Sequence, residues 1–242
     1  MSGHSKWSTI KHKKAKTDAQ RGKQFSKVGR EIMMAAKLGG EDPLMNPRLR
    51  LALQKAKEAN MPNDNIKRAI IKGAGSGDES NFEDMLYEAY GPNGVAILIE
   101  AMTDNRNRTV SNIKATLVRG GGSMASVGAV SYLFSQKGLL VFEPGVSDEE
   151  TLMTLALEAD AEDVVTNDEG YTEVICSIQQ FEAVKKQFDD KSIEYMTARL
   201  TRLPATTVSL SEEQTAKMEQ FIEKLEEDDD VQDVYTNVEG AA

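Results

Sequence analysis

The sequence is poor in the residues that build covalent cross-links and metal centres. Among its 242 residues there is one cysteine, Cys176, and there are two histidines, His4 and His12. A single cysteine excludes a disulfide framework and fits a reducing compartment. One cysteine and two histidines cannot by themselves complete a structural zinc site. We therefore expect a protein that holds no metal and no cofactor.

Long apolar runs are also missing from the chain. No stretch approaches the roughly 18 apolar residues of a membrane span. The basic N-terminus is not followed by the apolar core that a secretory signal needs. These absences predict a cytoplasmic protein with no membrane partner.

Signatures of catalysis are absent from the sequence as well. It contains no Walker A motif, no G-x-G-x-x-G after a strand and no Cys/His nucleophile pair. Glu100 and Asp104 come closest to paired carboxylates, but Glu100 falls in a predicted strand and no third group joins them. The sequence therefore predicts that the protein is not an enzyme.

Charge is distributed very unevenly along the chain. Residues 1–75 contain seventeen Lys and Arg against six Asp and Glu, a net charge of +11. Since the whole chain carries −10, residues 76–242 carry −21. Such asymmetry predicts a basic module for a polyanion attached to an acidic body. The alternative is a basic surface that is merely solvated.

The basic part of the chain has helical periodicity. Between residues 18 and 37 one apolar stripe repeats every three or four positions, and it consists of Phe25, Val28, Ile32 and Ala36. The opposite face is basic and consists of Lys23, Lys27, Arg30 and Lys37. Asn46-Pro47 starts a second helix, and a short third helix precedes Gly73. Residues 1–75 therefore form an all-helical domain.

Strands and helices alternate after a Gly- and Ser-rich linker at residues 73–78. The predicted strands lie at 95–102, 130–135, 139–143, 163–166, 171–178, 193–200, 206–210 and 231–238, with a tight turn at 136–138. With the helices between them, residues 139–200 follow the order β-α-β-β-α-β, and the flanking segments supply β-α-β on each side.

This order predicts an α+β multidomain protein. Its N-terminal all-helical basic domain (1–75) is followed by two ferredoxin-like (β-α-β-β-α-β) domains, one of them (137–203) inserted in the other (76–136 plus 204–242). One larger α+β domain is the alternative.

A polybasic leader (residues 1–16) surrounds the only tryptophan, Trp7. Such a strip neutralises phosphates, and an interleaved aromatic side chain can stack on an exposed base. Trp7 is equally well explained as an apolar anchor of the leader. The predicted nucleic-acid-binding side chains are Lys6, Trp7, Lys11, His12, Lys13, Lys14, Lys16, Arg21, Lys23, Lys27, Arg30, Arg48 and Arg50.

Two further charged segments attract attention. Arg106 and Arg108 follow a predicted strand at the start of a helix, so they predict a second anion site. The alternative is a polar loop in which Asn107 or Thr109 caps the helix. The acidic run at residues 226–230 predicts a solvated helix end, and masking of the basic leader is its alternative.

Several short motifs, in order along nearly the whole chain, resemble the YebC/PmpR family, which includes the mitochondrial translational activator of cytochrome oxidase. The motifs are Gly3-His4-Ser5-Lys6-Trp7, Arg21-Gly22-Lys23, Asn46-Pro47-Arg48-Leu49-Arg50, Tyr90-Gly91-Pro92 and Thr103-Asp104-Asn105-Arg106-Asn107-Arg108-Thr109. The chain departs from the family pattern at Ala89 and at residues 121–125.

The resemblance implies a helical domain with two α/β domains and no catalysis. It implies a DNA-binding transcriptional regulator or, as the alternative, a ribosome-associated factor that binds RNA and assists the synthesis of difficult, for example proline-rich, sequences. A protein-binding adaptor that works through its acidic body is a third reading. Phosphate contacts do not separate DNA from RNA. The nearest candidates for base-reading side chains on a recognition helix are Arg68 and Lys72.

Overall fold

The computed structural model describes residues 18–75 and 82–239. Its helices are α1 (Asp18–Gly39), α2 (Pro47–Glu58), α3 (Asn63–Ala74), α4 (Arg106–Arg119), α5 (Glu149–Glu158), α6 (Phe181–Asp190) and α7 (Glu212–Glu226). Its strands are β1 (Glu83–Tyr90), β2 (Ala96–Thr103), β3 (Ser123–Met124), β4 (Phe134–Phe142), β5 (Asp163–Thr166), β6 (Thr172–Cys176), β7 (Thr197–Pro204) and β8 (Val231–Thr236). None of these helices has the length and apolar character to cross a membrane.

The first three helices pack around one small core, as the periodicity predicts. Val28 and Ile32 of α1 are buried against Leu49 and Ala52 of α2. Asn46 caps α2, because its side-chain oxygen accepts from the Leu49 backbone N–H at 3.0 Å. Tight crossing of α1 and α3 requires glycine at position 73, where a Cβ atom would lie 2.2 Å from the Met33 carbonyl oxygen.

The first sheet has the strand order β3-β1-β2-β8, with antiparallel pairing throughout. Helices α4 and α7 cover one face, where Ile113, Leu117 and Phe221 pack against Ile97 and Ile99. Four strands in this order are typical of a ferredoxin-like sheet. The difference lies in the chain order, because the central strand β1 comes before β2, whereas in a ferredoxin-like domain the corresponding strand follows the edge strand that is β3 here. That strand, β1, is missing from the sequence prediction.

Two strands predicted for this domain are wrong. Of residues 130–135, only Phe134 and Ser135 are in a strand, and that strand is β4 of the second sheet, which follows a short 3-10 helix (Ser131–Leu133). Residues 206–210 make only an isolated bridge, from Val208 to Val238. The buried Glu88 carboxylate accepts backbone N–H bonds from Gly128, Val130 and Ser131 at 2.6–2.8 Å. Because a side chain satisfies these N–H groups, this segment needs no neighbouring strand.

The second sheet has the strand order β5-β6-β4-β7 and lies between β3 and α7 in the sequence. Its elements follow the predicted order β-α-β-β-α-β, with α5 and α6 over a core that contains Phe142, Phe181 and Phe188. An N-terminal helical region followed by two antiparallel sheets with helices confirms the predicted α+β fold class. The residue limits of the three domains stay a prediction.

The predicted turn at residues 136–138 is wrong, because β4 continues through it. Every residue from Phe134 to Val141 pairs with β7, and Gly138 also pairs with Cys176 of β6. A Cβ atom at Gly138 would lie 2.5 Å from the Phe181 ring and 2.6 Å from the Cys176 Sγ. This glycine therefore serves close packing of α6 against the sheet and does not form a turn.

Polar contacts connect the helical domain to both sheets. Lys55 of α2 lies 3.5 Å from the Asp233 carboxylate on β8, and the Gln54 side chain donates to the Ala198 carbonyl of β7 at 2.8 Å. The two sheets are joined by Arg202, which donates to the Glu100 carboxylate at 2.6 Å. The helical domain thus has a defined orientation on the acidic body.

Candidate nucleic-acid interface

Much of the predicted interface falls outside the described residues. The backbone of Arg21 lies in α1, but its side chain is not among those described. The predicted contacts that lie wholly outside the described residues are Lys6, Trp7, Lys11, His12, Lys13, Lys14 and Lys16. Their part in binding therefore stays a prediction from the sequence.

The basic face of α1 lies against residues 226–230, which we call the acidic turn. The Lys23 and Lys27 ammonium groups donate to the carbonyl oxygens of Glu227 and Glu226 at 3.0 and 2.5 Å. Arg30 donates to the Asp229 carbonyl at 2.6 Å. These cations also face the negative end of α7, where a helix dipole favours positive charge. At Lys23, Lys27 and Arg30, the face predicted to be an outer surface is therefore a contact surface within the molecule.

Asp230 is the centre of this contact, and its side chain is only 3% exposed. One carboxylate oxygen accepts from Arg30 at 3.1 Å. The other accepts from Arg108 at 2.7 Å, from Thr109 at 2.8 Å and from Thr103 at 3.3 Å. The predicted solvated helix end is thus wrong for Asp230, because the charge of this residue is buried and fully hydrogen-bonded.

The hydrogen bonds also determine the protonation of Asp230. Burial alone raises the pKa of this carboxyl group. Hydrogen bonds from Arg108 and Thr109, together with the charges of Arg108 and Arg30, outweigh burial and bring the pKa below its ordinary value. Asp230 therefore stays ionised at neutral pH and holds both arginines.

The two arginines predicted as a second anion site contact carboxylates of the chain itself. Arg106 pairs with Glu83 at the start of β1. Arg108 contacts Asp104 at 2.8 Å in addition to Asp230. The helix cap is Asn105, whose side chain accepts from the Arg108 backbone N–H at 3.1 Å, and not Asn107 or Thr109. The geometry gives these arginines a structural role, and an external anion must compete for them.

The two predicted arginines of α2 are also engaged. Arg48 pairs with Asp84 at 2.8 Å and with Glu31 at 3.2 Å. The hydrogen bond to Asp84 is the main reason that the pKa of Arg48 is raised, so the guanidinium group stays protonated. Arg50 donates to the carbonyl oxygens of Pro43 and Leu44 and holds the α1–α2 connection in place.

A groove between α1 and α3 brings together residues that the sequence does not connect. Its volume is about 440 Å³. Phe25, Met33 and Met61 give it an apolar floor, and Arg68 and Lys72 of α3 stand at its edge. Arg30 lines it too, with its guanidinium carbon 5.3 Å from the centre of the Phe82 ring. The i, i+4 spacing of Arg68 and Lys72 is the one signal that the sequence offers for this groove.

The single cysteine of the chain is not available as a thiolate at neutral pH. Cys176 is buried in the second sheet, and burial raises the pKa of its thiol to about 11, so it stays protonated at neutral pH. Within residues 18–75 and 82–239 no three His, Cys, Asp or Glu side chains gather as metal ligands would.

Comparison with known proteins places the whole chain in one family. Residues 5–76 match the model of the TACO1/YebC protein N-terminal domain, and residues 82–238 match that of the TACO1/YebC second and third domain. A "probable transcriptional regulatory protein" from Persephonella marina is 48% identical over 240 residues, which are 99% of this chain and 96% of the relative.

Other relatives agree with this result. A protein of the same name from Enterococcus faecalis is 47% identical over 241 residues, covering 99% of each chain. The crystal structure of a conserved hypothetical protein from Aquifex aeolicus is 44% identical, covers 95% of each chain and has a TM-score of 0.83. The chain described here therefore belongs to the TACO1/YebC family.

Proposed function

We propose that this protein is a non-enzymatic, nucleic-acid-binding regulator of gene expression that acts on DNA as a transcriptional regulator. The observation that carries the proposal is the net charge of +11 on residues 1–75 beside −21 on the rest of the chain. Lysine and arginine at such density release counterions from a phosphate backbone on binding. The names of the bacterial relatives, probable transcriptional regulatory proteins, support the same role.

The basic side chains fall into two groups, one that makes contacts within the molecule and one that we expect to bind phosphates. Lys23, Lys27 and Arg30 of α1 hold the helical domain against the acidic turn. Arg48 does the same against Asp84 of β1. We therefore assign the main contacts with phosphates to the leader cations Lys6, Lys11, Lys13, Lys14 and Lys16.

The exposed face of α3 favours a second candidate, a ribosome-associated factor that binds RNA. From position 67 onward the long exposed side chains of this helix are Lys67, Arg68, Ile71 and Lys72. The cations suit phosphates, and contacts with phosphates carry no sequence information. A surface that reads backbone and shape instead of sequence suits structured RNA as well as DNA.

Crosslinking in cells followed by sequencing of the bound nucleic acid separates the two candidates. Enrichment of promoter DNA supports the transcriptional role, and enrichment of ribosomal RNA supports the second candidate. A matched control is the chain in which Lys11, Lys13 and Lys14 are replaced by Ala. Recovery of nucleic acid should fall strongly with this variant, and equal recovery would contradict binding through the leader.

A further inference from the structure

The groove between α1 and α3 combines an apolar floor with positive charge from two side chains of α3. Phe25 and Met33 come from α1, Met61 precedes α3, and all three line the groove together with Ala69. Its volume of about 440 Å³ lies within the range of small-ligand sites. The Phe25 ring and the Met33 thioether are only half-buried, whereas Met61 is buried, so one aromatic ring and one thioether are left partly accessible to a planar apolar surface.

Among residues 18–75 and 82–239, no carboxylate forms an ion pair with the two cations of α3 that line the groove. Within the part of the chain that the structure describes, the Arg68 guanidinium donates to two neutral oxygens, the Asp64 carbonyl at 3.2 Å and the Asn65 side chain. Lys72 makes no ion pair with any described residue, and it is exposed. Since both are on the same side of α3, one turn apart, one anionic group can contact both.

Arg30 extends this positive edge towards the other wall. Its charge is already paired with Asp230 at 3.1 Å, and its guanidinium carbon lies over the Phe82 ring. Because its charge is already paired, Arg30 offers little positive charge to a ligand. Its cation–π contact instead keeps the Phe82 ring beside the groove. The cations that no described carboxylate pairs with are Arg68 and Lys72, which line the groove together with its apolar side chains.

We propose that this groove takes one unpaired nucleotide of a nucleic-acid strand, with its phosphate at Arg68 and Lys72 and its base on the Phe25–Met33 floor. The inference rests on the proposed function and names the part of the nucleic acid that the helical domain selects. Bases within a duplex have both faces covered by their neighbours, so they cannot reach this floor. Unpaired bases stack readily on aromatic side chains.

The test measures the affinity of the full chain for labelled oligonucleotides of about 12 nucleotides, single-stranded or as a blunt duplex, by fluorescence anisotropy. The groove variant is Arg68→Ala/Lys72→Ala. The matched control is Lys57→Ala/Lys114→Ala, which removes the same charge from exposed positions of α2 and α4 outside the groove. A third variant, Phe25→Leu, keeps an apolar side chain and removes the ring.

We expect the groove variant to weaken binding of the single strand about tenfold and the control variant to weaken it less than about threefold. Phe25→Leu should lower the affinity for the single strand about fivefold and leave the affinity for the duplex unchanged. Unfolding curves that match the unmodified chain show that the three variants are folded.

Three results would overturn the proposal. Equal losses for the groove and control variants would mean that only general charge matters, while the proposed function stands. Equal losses for single strand and duplex would mean that α3 contacts a paired backbone and no base enters the groove. Failure of the unmodified chain to bind either oligonucleotide at low salt would remove the proposed function together with the inference.

Discussion

Arg30 and Asp230 are 200 positions apart in the sequence, yet an Arg30 guanidinium nitrogen lies 3.1 Å from a carboxylate oxygen of Asp230. The same carboxylate binds Arg108, from the start of α4. One buried acid thus connects the helical domain, the first sheet and the α7–β8 connection. This contact orients the basic domain on the acidic body.

Replacing Asp230 with Asn should destabilise the protein strongly. The Asn side chain is nearly the same size, but it leaves Arg30 and Arg108 without their shared negative partner. We expect the free energy of unfolding to fall by roughly 2–4 kcal/mol, below the full cost of breaking a buried pair because Arg108 is half exposed. Denaturant unfolding measures this loss. Asp229→Asn, at an exposed position, is the control and should change little.

The lowered pKa of Asp230 gives this stabilisation a defined pH dependence. Because the folded pKa lies below the ordinary value of 3.8, the contribution is complete above that value and is lost as the pH falls through the folded pKa. The difference in unfolding free energy between the unmodified chain and Asp230→Asn should therefore become smaller as the pH is lowered from 6 to about 2. A difference that stays constant over this range would show that the charge of Asp230 is not responsible.

Two arginines of the β2–α4 connection should differ in their effect on stability. Arg106 pairs with Glu83, and both side chains are more than half exposed. Arg106→Ala should therefore change the unfolding free energy by less than about 1 kcal/mol. Arg108 contacts the buried Asp230, so Arg108→Ala should cost about 1.5–3 kcal/mol. Equal effects of the two substitutions would contradict the role assigned to Asp230.

Lys27 should act on stability more than on affinity for nucleic acid. Its ammonium group donates to the Glu226 carbonyl at 2.5 Å, at the negative end of α7. Lys27→Ala should lower the unfolding free energy by about 1–2 kcal/mol. Lys27→Ala should change the affinity for DNA less than Lys13→Ala does. A larger effect of Lys27→Ala would indicate that the basic face of α1 contacts DNA. Lys57→Ala, at an exposed position of α2, controls for loss of one charge.

The sequence predicts the elements whose signal is local. The apolar stripe of α1 is buried as expected, with Ile32 fully inaccessible, because helical periodicity depends on residues only a few positions apart. The β-α-β-β-α-β order of the second sheet follows for the same reason. β1 is missed because its Glu-Asp-Met-Leu-Tyr-Glu-Ala-Tyr sequence mixes acids with apolar residues. One of those acids, Glu88, is buried by bonds to a loop some 40 positions away.

The candidate site is predicted less completely, because its contacts are distant along the chain. Charge composition marks Lys23, Lys27 and Arg30 as cations, but only the fold shows that the acidic turn lies against them. Gly138 reads locally as a turn residue, whereas the Phe181 ring is what requires it. The groove joins residues from α1 and α3 with Phe82, and no single periodic pattern spans them.

The salt dependence of DNA binding tests most directly whether the basic leader binds phosphates. The full chain is compared with Lys11→Ala/Lys13→Ala/Lys14→Ala between about 50 and 200 mM salt. Lys186→Ala/Lys191→Ala/Lys217→Ala, at exposed positions of the acidic body, is the control for an equal loss of charge. We expect the leader variant to bind at least about tenfold more weakly at low salt, with the slope of log K against log salt reduced by roughly 2–3, and the control to match the unmodified chain. An unchanged affinity and slope for the leader variant would contradict binding through the leader.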